Sequence, residues 1–298
     1  MEDAVKKMGK ISDFQNTYSN LEIIHRNPEN MLIVCKAKGN DRKDWALKIY
    51  QVSDEDPHCA ECLMNDHQNQ LRANSQYVLK THKGFYNKEK TLMFLPNEFA
   101  PSTLYQLLLK EPIRLKEFIN ITTQLVKGLD YIHKCDIAHG DITLKNIFVV
   151  NDCYKFGDFG SYTLGTPNYR HISQIRADTI LKAANIKDVW TALYKLSRVF
   201  SKEDRKRFDI YSLGCVFYDI ICHNTDADSK RIIFSRNGSY QNEWFGLSDV
   251  DKDNLKKTLK KFTKENQQYN KKIYTLITSA MCQSSIDKTK KIRDVINQ

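Results

Sequence analysis

The stretch His139-Gly140-Asp141-Ile142-Thr143-Leu144-Lys145-Asn146 holds two chemistry-bearing side chains, Asp141 and Asn146, five residues apart on one loop. It follows a long amphipathic segment and precedes a short apolar run, Ile147 to Val150. At that spacing both side chains can face one cleft. A carboxylate there can orient an attacking hydroxyl and accept its proton, and an amide oxygen can hold a divalent cation. Asp and Asn are also turn formers, so the loop alone is equally a polar turn. Twelve residues after Asn146 comes Asp158-Phe159-Gly160. Its carboxylate suits magnesium, a hard cation that prefers oxygen and phosphate ligands. Phe159 is expected to pack inward, and Gly160 to allow the turn.

Upstream, Trp45-Ala46-Leu47-Lys48-Ile49-Tyr50 reads as a strand with one lysine in an apolar run. A lysine there costs desolvation energy unless an anionic group meets its tip, or unless it snorkels to the surface. Leu21 to Ile24 and Met31 to Val34 read as two strands joined by a turn. Cys59 to Ala73 contains no proline or glycine and reads as a helix, and Tyr77–Leu79 and Thr91–Leu95 as two further strands. Beyond a hinge near residues 97–102 the texture becomes helical. Leu104 to Leu109 is a short helix, and Leu115 to His133 a long one with Phe118, Ile121, Leu125, Leu129 and Ile132 at spacings of three and four. Tyr154–Phe156 reads as a strand, and Phe208–Cys222, Asp253–Lys264 and Ile273–Cys282 as helices.

Each chemical segment alone is a weak signal. Together, in order and register, they resemble the signature of eukaryotic protein kinases: V-A-I-K, then H-R-D-x-x-x-x-N, then D-F-G. Asp209-Ile210-Tyr211-Ser212-Leu213-Gly214 resembles the start of that family's buried central helix, whose Asp braces the catalytic-loop backbone. Glu98-Phe99-Ala100-Pro101 resembles the hinge that hydrogen-bonds adenine. The resemblance implies an α+β, two-lobed protein-kinase-like fold: a small antiparallel-sheet N-lobe with one helix and a larger, mainly helical C-lobe. The expected division is a lead-in over 1–17, the N-lobe over 18–97 and the C-lobe over 98–298. The resemblance also implies roles. Lys48 would hold the α- and β-phosphates of ATP, Asp141 would be the catalytic base, and Asn146 and Asp158 would be Mg2+ ligands. Val34, Ala46 and Phe148 would sandwich the adenine, with Glu98 and Ala100 at the hinge. Phe159 and His139 would stack in the regulatory column. For the helix carboxylate that pairs with the strand lysine, Glu61 is preferred; Asp66 is better spaced but a methylene shorter.

The departures are as informative. Aligning Val34 with the last residue of G-x-G-x-x-G-x-V puts Asn27, Glu29 and Leu32 where glycines belong. Side chains there block close approach of backbone to phosphate, and Glu29 adds like charge. Weakened ATP affinity is expected, which keeps a pseudokinase acting as a binding or scaffold module as the alternative. Gly140 replaces the arginine of H-R-D, so the usual phosphorylation switch is expected to be absent or different. Thr143 replaces the lysine of most serine/threonine kinases, and Lys145 stands where many tyrosine kinases carry arginine. The docking loop has two registers. Gly165-Thr166-Pro167-Asn168-Tyr169 resembles G-T-P-x-Y and is preferred, with Ser173 in the A-P-E glutamate place; Thr191 and Tyr194 offer the second. The arginine that this glutamate pairs with appears as Lys291. Asn97, a polar gatekeeper, and Ser235-Arg236-Asn237-Gly238 resemble the Wee/Myt group; Asn146-Ile147-Phe148 before Gly157-Asp158-Phe159-Gly160 is common to it and to the translation-initiation-factor kinases. A small-molecule phosphotransferase is the third reading, because H-G-D-x-x-x-x-N also occurs in aminoglycoside- and choline-kinase-like enzymes.

Composition bounds these readings. With 11 Gly and 6 Pro in 298 residues the chain is neither collagen-like nor low-complexity, and 11% aromatics exclude a disordered chain. No apolar run approaches a membrane span, and the first ten residues lack the apolar stretch of a signal peptide. Eight scattered cysteines, with Cys59 and Cys62 as one CxxC and no second pair at zinc spacing, fit a reducing compartment, so cytoplasm or nucleus is expected. The net charge of +10 is spread over the chain. It fits a solvated surface or a taste for acidic protein substrates better than a nucleic-acid footprint.

Overall fold

Alternation of inward and outward side chains builds the first sheet. The computed structural model describes residues 5, 10–13, 15–27, 31–52, 57–160, 169–170, 174, 177, 199–223, 249–264 and 266–281. Six strands are β1 (Lys10–Ser12), β2 (Thr17–Asn27), β3 (Leu32–Gly39), β4 (Asp44–Gln51), β5 (Phe85–Tyr86) and β6 (Leu92–Glu98). They form one antiparallel sheet in the order β1-β2-β3-β4-β6-β5. With a period of two, Ile33, Cys35 and Ala37 of β3 and Trp45, Leu47 and Ile49 of β4 fall on one face and are buried with Tyr18 and Phe94. Each such side chain contributes about 1.5–3 kcal/mol on burial. Val34, Lys36, Ala46 and Lys48 fall on the other, half-buried face.

Between β4 and β5 runs α1 (Pro57–Arg72). Helical periodicity puts Cys62, Asp66, His67 and Gln70 on one buried stripe, which is mostly polar. A polar stripe survives burial only when its members find partners. His67 Nε2 donates to the His82 carbonyl at 2.8 Å, and Gln70 is fully bonded, as described below.

The second layer is mainly helical. It holds a small sheet of β7 (Ser102–Thr103), β8 (Ile147–Val150) and β9 (Cys153–Phe156), with α2 (Leu104–Lys110), α3 (Leu115–Lys134), α4 (Lys202–His223), α5 (Asp249–Phe262) and α6 (Gln267–Met281). A capping box between Thr103 and Gln106 starts α2. The apolar stripe read on α3 is the one buried, and it meets α4 through the edge-to-face pair Phe118–Phe217. Gly214 lets α6 close on α4, since a Cβ there would stand 2.8 Å from Met281 and 2.9 Å from Ala280.

The two layers are joined through β9. The Phe156 N–H donates to the Tyr77 carbonyl and the Leu79 N–H to the Phe156 carbonyl, both at 2.8 Å. Lys155 Nζ pairs with Glu98 Oε2 at 2.7 Å.

Four local expectations differ from the structure. Within the lead-in, Lys10–Ser12 pair with β2, and Val5 and Ile11 are buried in the sheet core. Their polar neighbours hid two apolar anchors. Tyr77–Leu79 is not a strand but a single parallel bridge, Val78 to Phe156. The two-residue β5 is too short to leave a pattern. Helix α4 begins at Lys202, ahead of the apolar run, because Ser201 and Asp204 cap each other there: each backbone N–H donates to the other's side chain, at 2.9 and 3.1 Å. Glu29, Gly165 to Asn168, Ser173, Thr191, Tyr194, Ser235 to Gly238 and Lys291 lie outside the described residues.

Candidate active site

Four segments converge on a cavity of about 210 Å³ whose lining includes Lys48, Asp66, Asp141, Asn146 and Asp158. Lys48 comes from β4, Asp66 from α1, Asp141 and Asn146 from the loop before β8, and Asp158 from the turn after β9. Lys48 and Asp158 form an ion pair. Burial works against the Lys48 ammonium, but the Asp158 carboxylate, with Tyr50 and Asp141, outweighs it and the lysine pKa is raised. The strand lysine therefore does meet an anionic group and stays charged.

Asp158 holds a left-handed backbone, φ 58°. For a residue with a Cβ this costs about 1 kcal/mol, least for Asn and Asp. The turn delivers its carboxylate to Lys48 and its neighbour Phe159 to the helical layer. Phe159 stacks on His139 with ring centroids 4.5 Å apart. The Gly160 N–H donates to the His139 carbonyl at 2.8 Å.

The catalytic-loop candidates are tied to one another. Asn146 Nδ2 donates to the Asp141 carbonyl at 2.8 Å and to Asp141 Oδ2 at 2.9 Å. Its amide hydrogens are thus spent, and its carbonyl oxygen is the atom suited to a cation. Thr143 is buried, and its Oγ1 accepts from the Lys145 and Asn146 N–H groups, both at 3.2 Å. Here it shapes the loop from inside.

Beneath the loop, Asp209 of α4 accepts from the His139 N–H and the Gly140 N–H, each at 2.8 Å, and meets His133 Nε2 at 2.9 Å. His139 Nδ1 accepts from the Asp141 N–H at 3.2 Å, so its Nε2 is the donor to the Gly157 carbonyl at 3.0 Å. Burial lowers the His139 pKa, consistent with that neutral tautomer.

The structure does not bring Glu61 to this cavity. Glu61 is exposed on α1 on the side of Tyr86, whereas Asp66 is buried and lines the cavity with Lys48. Of the two α1 carboxylates weighed as partners for Lys48, the cavity lining includes Asp66 and not the preferred Glu61. Helix phase is the reason: five residues along α1 turn the shorter side chain inward. Val34 pairs with Lys48 across the β3–β4 ladder, and Ala46 shares their face. Phe148 is half-buried on β8 and packs against Gly157. Val34, Ala46, Phe148, Glu98 and Ala100 stand outside the cavity lining. Glu98 donates its N–H to the Lys80 carbonyl at 2.7 Å, and Ala100 follows in the irregular segment after β6. Asn27 and Leu32 are paired ends of the β2–β3 hairpin, so side chains occupy that turn's two flanks.

Further along, Tyr169 is anchored on α4: its hydroxyl donates to Asp219 Oδ2 at 2.6 Å, and Ser212 Oγ donates to its carbonyl at 2.8 Å. Composition and motif had not singled out Gln70 or His67, since a polar residue on a helix reads as solvated unless its phase is known.

Among the described residues no three His, Cys, Asp or Glu side chains gather into a metal cage. A cation held by Asn146 and Asp158 would therefore take further oxygens from phosphate or water, which is the habit of magnesium. Nor is any described helix long and apolar enough to cross a membrane.

A family model described as protein kinase domain matches residues 31–292. Among curated proteins, the Wee1-like protein kinase of Oryza sativa subsp. japonica is 33% identical over 112 residues, 37% of this chain and 19% of the relative. The MAPK/MAK/MRK overlapping kinase of Homo sapiens is 25% identical over 219 residues, 72% of this chain and 46% of the relative. The RAF proto-oncogene serine/threonine-protein kinase of Xenopus laevis is 26% identical over 216 residues, 67% of this chain and 32% of the relative. The chain spans less than half the length of each of these relatives.

Proposed function

The chain belongs to the protein kinase family, and from that premise we propose that it transfers the γ-phosphoryl group of ATP to a serine or threonine hydroxyl of a protein substrate, with tyrosine as the alternative acceptor. The observation that carries this reading is the gathering of Lys48, Asp158, Asp141 and Asn146 around one cavity. Lys48 neutralises and orients phosphate oxygens. Asp141 orients the acceptor hydroxyl and takes its proton. Asn146 and Asp158 are oxygen donors suited to Mg2+, which when bound would offset charge on the phosphates. Asp66 is the helix carboxylate that aligns Lys48 once nucleotide draws the lysine away from Asp158. Val34, Ala46 and Phe148 flank the adenine, with Glu98 and Ala100 at the hinge. The division into an N-lobe over 18–97 and a C-lobe over 98–298 belongs to the same reading, as does action in cytoplasm or nucleus.

Tyr169, hydrogen-bonded to Asp219 and Ser212 of α4, favours the register in which Gly165 to Tyr169 is the substrate-docking loop. The similarity to a Wee1-like kinase supports the lean towards that group. One observation favours the second reading, a pseudokinase: Asn27 and Leu32 put side chains at the flanks of the phosphate-loop hairpin.

The test is transfer of labelled phosphate from ATP to a peptide array by the unsubstituted chain and by Asp141→Asn. Labelling that Asp141→Asn abolishes is expected, and the array reads the acceptor type. Equal labelling by both would sink the assignment of Asp141. ATP binding without any transfer would favour the pseudokinase.

A further inference from the structure

Gln70 lies on the buried stripe of α1, 3% exposed, and every hydrogen-bonding atom of its amide is used. Its Nε2 donates to the Leu79 carbonyl at 3.1 Å and to Asn97 Oδ1 at 3.0 Å. Its Oε1 accepts from the Asp158 N–H at 3.2 Å. Asn97, itself buried, donates from Nδ2 to the Leu95 carbonyl at 3.0 Å.

Backbone carbonyls accept and never donate, so the orientation of both amides is fixed by Leu79 and Leu95. Asn97 must turn its nitrogen to Leu95 and its oxygen to Gln70. Gln70 must then turn its nitrogen to Leu79 and Asn97, which leaves its oxygen for Asp158. The result is a one-way relay from the Asp158 N–H through two side chains to β6.

Asp158 needs such a hold. Its φ of 58° is a conformation that a residue with a Cβ adopts reluctantly. Were it to relax towards extended backbone, its N–H would leave Gln70 and its carboxylate would swing off the cleft. We propose that Gln70 is a positioning residue for Asp158. It holds the backbone of the proposed metal ligand in its inward pose, and it links that pose to the seating of α1 against Asn97. An apolar side chain of equal size would fill the same space without holding the N–H. The role rests on the kinase reading for its catalytic meaning, while the tether itself is testable without it.

The experiment compares the unsubstituted chain with Gln70→Leu and Gln70→Glu. The first readout is deuterium uptake in peptides covering Phe156 to Gly160. The second is the Mg2+ concentration giving half of the thermal stabilisation produced by a fixed concentration of ADP. Gln70→Leu is expected to speed uptake in those peptides and to raise the Mg2+ half-point about tenfold, the usual effect of losing a partner that orients a metal ligand. Its affinity for ADP without metal is expected to stay near that of the parent. Gln70→Glu keeps an oxygen that accepts the Asp158 N–H whether or not the acid is ionised, and gives up donation to Leu79 or Asn97. Its uptake over Phe156 to Gly160 is expected to stay near that of the parent. Should Gln70→Leu not fold, Gln70→Ala, which also lacks the acceptor, takes its place. Parental uptake and a parental Mg2+ half-point in the variant without the acceptor, or uptake in Gln70→Glu as fast as in that variant, would overturn the proposal. If ADP with Mg2+ stabilises not even the unsubstituted chain, the kinase reading falls, and the uptake comparison still decides whether Gln70 holds Asp158.

Discussion

The Gly140 N–H donates to Asp209 Oδ1 at 2.8 Å, and Gly140 makes that bond from a left-handed backbone, φ 85°. The carboxylate of α4 thus grips two successive amides of the catalytic loop from below, because the His139 N–H reaches its other oxygen. A glycine takes this conformation without strain. The position read in sequence as a lost regulatory arginine is, in the fold, a relaxed backbone site.

Gly140→Ala is therefore expected to destabilise the chain by about 1 kcal/mol, the cost of a Cβ at positive φ. Chemical denaturation at neutral pH measures it. A neutral or stabilising result would show that the left-handed turn is not held in solution.

The two α1 carboxylates are expected to separate cleanly. Asp66→Asn, at a buried position lining the Lys48 cavity, should lower kcat/KM about tenfold or more, as loss of a group that aligns charge in a transition state does. Glu61→Gln, at an exposed position, should leave it within about twofold, since surface substitutions away from such features act weakly. Steady-state kinetics on one peptide substrate decides between them, and the reverse order would restore Glu61.

Stability should fall with acid through His67. Burial depresses its imidazole to about 4 from an ordinary 6.5. Between those values the unfolded chain binds a proton that the folded chain does not. The contribution is complete above pH 6.5 and is lost as pH falls towards 4. From pH 7.5 to 5 the loss from this group is about 2 kcal/mol by linkage. His139, also depressed by burial, acts in the same direction. Urea unfolding at the two pH values should show a shallower loss for His67→Gln than for the parent. Equal losses would mean that His67 is solvated and titrates normally.

Much of the fold was legible because its signals are periodic. The α3 stripe and the apolar stretches of β3 and β4 appear in sequence as they appear in space. The site was legible for a different reason: Lys48, Asp141, Asn146 and Asp158 carry charge or amide groups at fixed separations along short loops and strands. What escaped was phase and partnership. Glu61 and Asp66 differ only in which way α1 is rotated, and one helix in isolation does not state its rotation. Gln70 has no signature at all, since its role exists only once Leu79, Asn97 and Asp158 surround it. Val5 and Ile11, both buried in the sheet core, were hidden by polar neighbours.

Strand β9 acts as a splint across the molecule. Phe156 is bonded to Tyr77 and Leu79, and Lys155 to the side chain of Glu98. Residues 77–79 are thereby fastened to β9 through backbone, and Glu98 through its side chain. Opening of the cleft cannot unzip residues 77–79 without breaking these bonds. Swing of the sheet has to be taken up elsewhere, in the sheet above Lys48 and in residues 99–101. Residues 77–79 would then stay with the floor of the cleft while the roof moves over them.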